Sequence, residues 1–248
     1  MKNKDLKYSL IFTLVGIIAG GILGYYQVLI ATDELKSQLS AQLGSLEMLI
    51  VVTAIQAAVF TFISTFFGLK LARRLNLRLY AKLDTSSMIL VSVIAFIISF
   101  VITFSDKFIF ATYLPEAENY QFSLLYFISS LLYGGIIEEL MLRLFFMSLL
   151  IWIGWKLFAK SKDSLAIPSW IYISGIIVAA ILFGLGHLPA TAQLMDLSAP
   201  IVIRAIVLNG IGGIGFGYLY WKVGLSHAMY AHMLTHIINQ LIFMPLLF

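Results

Sequence analysis

Long apolar runs are the feature that most constrains the fold of this chain. Seven such runs cover most of its 248 residues, at positions 8–30, 48–69, 88–104, 121–158, 167–186, 201–221 and 225–248. A helix of about 20 apolar residues crosses the hydrocarbon core of a bilayer. Charged residues make up only 11% of the chain, against about 25% in soluble domains, so a soluble globule is excluded. We predict an all-α, polytopic transmembrane helix bundle.

The run at 121–158 decides the number of helices. It is about twice as long as one crossing needs, and only Gly134-Gly135, Glu138-Glu139 and Arg143 interrupt it. It can form either one long kinked helix or a short helix joined to a spanning one, so the bundle has seven or eight helices. Because no internal repeat or soluble linker is visible, we predict one membrane domain over residues 1–248, in which 1–118 supplies N-terminal transmembrane helices.

Lysine and arginine cluster in alternate loops, as they do on the cytoplasmic side of membrane proteins. The basic positions are the N-terminus, the 70–82 loop, Lys156, Lys160, Lys162 and Lys222, and the acidic positions between them are Asp33, Glu34, Asp106, Glu116, Glu118 and Asp196. This pattern predicts a cytoplasmic N-terminus. The small size of the chain and its short loops favour a bacterial cell membrane. Because the positive charges are explained by their place in the cytoplasmic loops, the net charge of +4 does not indicate a nucleic-acid partner.

Ionisable residues inside the apolar runs are the candidate functional residues, because each costs a few kcal/mol in lipid. The chain has no cysteine, so its chemistry must use carboxylates, histidines or hydroxyls. On a helix, Glu139 and Arg143 lie one turn apart and can pair, whereas Glu138 has no partner at that spacing. Glu138 is therefore either a general base or acid, or a spare protonated carboxyl beside an ion pair that fixes helix packing.

Three histidines accompany these carboxylates. His232 and His236 share one helix face at a spacing of four, which lets two imidazoles hold one metal ion or one water. His187 precedes Pro189 at a helix end, a place where a lone histidine is usually an interface or helix-dipole residue. Two further groups have simpler interpretations: we expect His227 to be interfacial and Arg204 to snorkel to the membrane surface.

Glycine recurs at positions 210, 212, 213, 215 and 217, within the run at 201–221. Small residues spaced in this way let helix backbones approach closely. The pattern predicts tight packing of this helix against a neighbour.

The motifs at 138–143, 183–187 and 232 together resemble those of the CPBP family of intramembrane proteases, also called the CAAX protease, bacteriocin-processing or Abi family. The motifs are Glu-Glu-x-x-x-Arg, Phe-x-x-x-His and a final histidine preceded by a basic turn and Gly-Leu-Ser, and they span about residues 121–240. The resemblance implies a membrane endopeptidase. Its implied catalytic residues are Glu138, which activates water, Glu139 and Arg143, which support it, and His187 and His232, which complete the site.

The chain departs from the family at one position. His236 stands four residues after His232, where the family usually has an asparagine that stabilises an oxyanion. Either the imidazole N–H takes that role or His236 strengthens a metal site. In an alternative register His236 is the motif histidine and Gln240 follows it. Glu138, His187 and His232 would also make a zinc site, so Zn²⁺ stays open as a cofactor.

The resemblance implies a peptide or membrane-protein substrate in the lipid bilayer. Prenylated CAAX tails are the family's substrates in eukaryotes. The alternative function is a non-catalytic membrane scaffold, such as a bacteriocin self-immunity or regulatory protein. A transporter is a weaker alternative, because the chain shows no inverted repeat.

One geometric conflict follows from the helix lengths. At about 1.5 Å per residue, His187 lies near the outer end of its helix, whereas His232 is only about 10 Å from the inner end of the last one. The helix at 167–187 must therefore be short, tilted or set back for the two histidines to meet.

Overall fold

The computed structural model describes residues 2–114, 120–160, 166–193 and 195–248, and it is all-helical over these ranges. The helices are α1 Lys2–Ile30, α2 Asp33–Leu43, α3 Glu47–Arg74, α4 Thr85–Phe108, α5, α6 Ser169–Gly186, α7 Ala199–Lys222 and α8 Leu225–Ile238. Helix α5 runs without a break through Leu124–Ser129, Ser130–Met147 and Ser148–Phe158. The predicted all-α bundle and its helix number are confirmed. Glu116, Glu118 and Lys162, which entered the topology prediction, lie outside the described residues.

Among the described residues, five helices are long and apolar enough to cross a membrane, which supports an integral membrane protein. They are α1, α3, α4, α6 with the short helix Leu188–Ala192 that follows it, and α7. Helix α5 carries three charges in its central segment, and α8 is followed directly by a π-helical turn at Asn239–Phe243 and a short helix at Met244–Leu247. Helix α2 is polar and has no buried residue, so it is not an apolar span.

The central segment of α5, Ser130–Met147, is wound as a π-helix. In this winding each N–H bonds to the carbonyl five residues earlier, and such turns are frequent at functional sites. The sequence left open a kinked helix or two joined helices, and the structure shows one continuous helix with a wider centre. One face of this segment, which includes Leu140, Leu144 and Met147, is fully buried in the hydrophobic core between the other helices.

Helices α6 and α7 pack backbone to backbone through glycine, as predicted. A Cβ on Gly213 would lie 2.8 Å from Cα of Ala180, and a Cβ on Gly184 would lie 2.6 Å from Cα of Ile206. Distances this short exclude any side chain at both positions. The close approach holds the last turn of α6, which carries His187, against the bundle.

Substituting Gly184 with alanine is expected to lower the free energy of unfolding by about 1–3 kcal/mol, the usual cost of overpacking. The added methyl would meet the backbone of Ile206, which cannot rotate away, so α6 and α7 must separate. Thermal unfolding in detergent measures the change. Gly186→Ala is the matched control, because no atom lies within 4 Å of a Cβ there, and equal effects of the two substitutions would contradict the packing argument.

Two side chains have partners that the sequence did not predict. Arg204 does not extend unpaired to the membrane surface: its Nε and Nη2 donate to the two carboxylate oxygens of Asp106, each at 2.6 Å, and join α7 to α4. His227 is fully buried, with Nε2 3.1 Å from Oγ of Ser87, and its interfacial depth stays a prediction. Both partners are distant in sequence, so helix periodicity could not reveal them.

The start of α8 is fixed by the basic loop before α4. The backbone N–H groups of Leu225 and Ser226 donate to the carbonyls of Arg78 and Leu79 at 3.0 and 3.1 Å. These bonds satisfy donors that a helix N-terminus leaves free. They set the depth at which α8 begins, and therefore the depth of His232.

Candidate active site

The π-helical segment and α8 meet at a buried group of three ionisable side chains. Nη1 of Arg143 lies 3.1 Å from Oε1 of Glu139, and Nδ1 of His232 lies 2.8 Å from the same oxygen. The Glu139 and Arg143 side chains are 0% and 2% exposed. The predicted pairing of Glu139 with Arg143 is confirmed, and the contact with His232 adds a long-range partner that the sequence could not reveal.

The contact with Glu139 fixes which nitrogen of His232 carries the proton. A carboxylate can only accept a hydrogen bond, so Nδ1 of the neutral imidazole donates and Nε2 keeps its lone pair. On that opposite side, Oε2 of Glu138 lies 4.0 Å from Nε2. The two adjacent glutamates therefore face the two nitrogens of one imidazole.

Glu138 differs from Glu139 in its exposure. Its side chain is 20% exposed, whereas that of Glu139 is fully buried. A separation of 4.0 Å is too long for a direct hydrogen bond, and at that distance a bridging water is the usual intermediary. Glu138 is thus the carboxylate of this pair that solvent or substrate can reach.

Aromatic rings enclose the charged group. The His232 ring stacks on Phe216 with centroids 4.5 Å apart, and the Arg143 guanidinium lies 4.7 Å from the centroid of Phe183 and 5.3 Å from that of Phe216. A cation over a ring face is attracted by the ring quadrupole. Phe183 belongs to a sequence motif, but nothing in the sequence pointed to Phe216.

His187 joins the site through Phe183. The Phe183 ring lies 4.7 Å from the His187 ring and 6.1 Å from the His232 ring, and Nδ1 of His187 donates to the Phe183 carbonyl at 2.8 Å. The end of α6 thus lies beside α8, and the two histidines meet through the Phe183 ring. Among the described residues, no hydrogen bond or ion pair links His187 to Glu138 or His232.

His236 lies beside His232 on the same face of α8. The two imidazole rings stack with centroids 5.0 Å apart, and His236 is half-buried. Gln240, which the alternative register would use, points elsewhere: its Nε2 donates to Oγ of Ser130 at 3.1 Å. These contacts favour His232 as the motif histidine, because it is His232 that touches both glutamates.

The predicted zinc ligands keep their metal-binding atoms free. Nδ1 of His232 and Nδ1 of His187 donate to Glu139 and to the Phe183 carbonyl, which leaves the two Nε2 atoms as possible ligands. Oε2 of Glu138 lies 4.0 Å from Nε2 of His232. Within the described ranges, no three or more His, Cys, Asp or Glu side chains are grouped as they would be around a metal ion. Glu138, His187 and His232 would hold a Zn²⁺ ion if the protein binds one, and we derive no step through it.

Comparison with known protein families gives a match over nearly half of the chain. Residues 120–238 match the family model described as type II CAAX prenyl endopeptidase Rce1-like, and this range contains all six candidate site residues. No curated protein matches the chain. No solved structure matches it either. The matched range is nearly the segment whose motifs carried the resemblance, and residues 120–238 are therefore similar to the Rce1-like type II CAAX prenyl endopeptidases.

Proposed function

We propose that this protein is a glutamate-dependent intramembrane endopeptidase that cleaves membrane-associated peptides. The observation that carries the proposal is the placement of Glu138 and Glu139 on opposite nitrogens of His232. Glu139 holds the imidazole at 2.8 Å, and Glu138, which is partly exposed, faces the free nitrogen at 4.0 Å. This arrangement separates a positioning carboxylate from a reactive one.

The reaction is peptide hydrolysis with water as the nucleophile. A water between Glu138 and Nε2 of His232 gives one proton to the Glu138 carboxylate while its oxygen attacks the scissile carbonyl carbon. The carbonyl electron pair moves to the carbonyl oxygen. When the C–N bond breaks, that pair returns to carbon and Glu138 passes the proton to the leaving amine. The products are a carboxylic acid and an amine, and Glu138 is regenerated.

The other site residues position His232 or stabilise the charge that develops during the reaction. Arg143 balances the buried charge of Glu139, so that Glu139 can hold His232 in the tautomer whose Nε2 accepts from water. His236 lies next to His232 and donates Nε2–H to the developing oxyanion, the role expected of donors preorganised in a dry site. His187, whose Nε2 is not used by the Phe183 carbonyl, faces the site from α6 and completes it.

The substrate class follows from the surroundings of the site. The catalytic side chains lie in α5, α6 and α8, which pack among helices that are long and apolar enough to span a membrane, so the peptide must reach them within or at the bilayer. The family match favours a substrate tail of the CAAX type, in which a prenyl group keeps the peptide at the membrane. We propose a membrane-associated peptide, with prenyl dependence to be decided by experiment.

Cleavage by the purified protein in lipid nanodiscs tests this function. Matched peptide libraries, one prenylated at cysteine and one unmodified, are analysed for new termini by mass spectrometry. We expect cleavage to persist after treatment with a metal chelator, because no step uses a metal ion. Loss of cleavage on chelation, with recovery on adding Zn²⁺, would contradict the metal-independent mechanism.

A further inference from the structure

Gly134, in the π-helical segment, lies directly beside two imidazoles of the site. A Cβ on Gly134 would lie 2.8 Å from Nε2 of His236 and 3.4 Å from Nε2 of His232. The His236 ring therefore packs directly against the backbone of Gly134, with His232 beside it. The ring can lie this close because residue 134 has no side chain.

The reactive carboxylate lies beside the same imidazoles. Glu138 follows Gly134 by four residues on the π-helical segment, and its Oε2 lies 4.0 Å from Nε2 of His232. One carboxylate oxygen and two imidazole nitrogens are thus grouped on the side of α5 that Gly134 leaves without a side chain. A reacting water or carbonyl oxygen that reaches Glu138 has these nitrogen atoms as partners.

We propose that Gly134 is a positioning residue: its missing side chain lets the His236 ring lie against α5 and brings Nε2 of His236 beside Nε2 of His232, where the reacting oxygen atoms are expected. The inference rests on the proposed hydrolysis and adds a residue that none of the sequence motifs contains. Gly134 acts through the orientation of His236.

The contacts of His236 explain why the site is sensitive at this position. Among the described residues, no hydrogen bond holds the His236 ring, which is kept in place by its stack on His232. A methyl group on residue 134 would meet the tip of this ring and not a backbone atom, so the ring turns away while the helices stay packed. A substitution there should reduce catalysis far more than stability.

A double-mutant cycle tests the proposal. Gly134→Ala is expected to lower kcat by about 10²–10³-fold, the usual effect of removing one oxyanion donor. His236→Asn shortens the side chain but keeps an N–H donor. In the His236→Asn background, the fold-reduction in kcat caused by Gly134→Ala should therefore be at least about tenfold smaller than in the wild-type background.

Gly135→Ala is the matched control on the next residue of the same segment. A Cβ there would overlap the side chain of Met233 and touch neither imidazole. We expect Gly135→Ala to lower the thermal unfolding temperature without any rescue by His236→Asn. Gly134→Ala should show the reverse pattern, with a near-normal unfolding temperature and a rescue in activity.

A second readout does not depend on cleavage. Histidine side chains labelled with ¹⁵N report ring position and tautomer by NMR, and the chain has four histidines to resolve. Gly134→Ala should move the His236 signals, and Gly135→Ala should leave them in place. Wild-type kcat in Gly134→Ala, unchanged His236 signals, or a loss of activity that His236→Asn does not relieve would each overturn the inference. Full activity in a Glu138 variant would instead overturn the proposed function.

Discussion

Replacing Glu138 with glutamine is expected to lower kcat/KM for peptide cleavage by about 10²–10⁴-fold, the contribution of a general acid–base group. The amide keeps the size of the side chain but cannot take a proton from water. The Glu138 side chain is 20% exposed and lies 4.0 Å from Nε2 of His232, so its neutralisation should leave the fold intact. Initial rates of cleavage in nanodiscs, together with the thermal unfolding temperature, measure both effects.

Asp106→Asn is the matched control for this substitution. It also converts a carboxylate to an amide in the helical bundle, but it acts on the ion pair with Arg204, between α4 and α7. It should reduce stability and leave the chemical step unchanged. If Glu138→Gln cleaves peptides at the wild-type rate, Glu138 is not the base. If the wild-type protein cleaves no peptide and the Glu138→Gln variant keeps the effect that the wild-type protein has in cells, the scaffold alternative is favoured.

Replacing Arg143 with methionine is expected to cost about 3–5 kcal/mol of stability, the usual penalty when one partner of a buried ion pair is removed. Glu139 is fully buried, so its charge would be left without the nearest cation. Methionine keeps an unbranched side chain of similar length against Phe183 and Phe216. The loss is measured as a drop in unfolding temperature in detergent.

The double variant Arg143→Met/Glu139→Gln separates charge from packing. It removes both charges, and the amide oxygen that replaces the carboxylate can still accept from Nδ1 of His232, so part of the lost stability should return. Arg204→Met is the control, because that arginine is 25% exposed and its charge partner is nearer solvent. If Arg143→Met lowers the unfolding temperature no more than Arg204→Met does, the buried ion pair does not hold the site together.

The chain's local patterns predicted the features that depend on nearby residues. Apolar runs long enough to cross a bilayer predicted the helical bundle, and the spacing of Glu139 and Arg143 predicted their ion pair. Glycine spacing likewise predicted the close packing of α7. These predictions succeed because helix geometry fixes which residues share a face, whatever the rest of the fold does.

Contacts between distant helices could not be predicted in this way. Arg204 looked like a snorkelling side chain because its partner Asp106 precedes it by 98 residues. His187 and His232 looked misplaced in depth because the sequence did not show where α8 begins. That depth depends on hydrogen bonds from the α8 N-terminus to Arg78 and Leu79, on a different loop.

The sequence by itself predicted an integral membrane helix bundle and, because a charge is costly in lipid, a short set of candidate residues. The resemblance to the protease motifs then selected the six residues of the candidate site. Only the tertiary structure decided how they are arranged. It set His232 between Glu139 and Glu138, brought His187 to the site through Phe183, and turned two imidazoles toward Gly134. These arrangements arise from the packing of α5, α6 and α8, which no spacing along a single helix encodes.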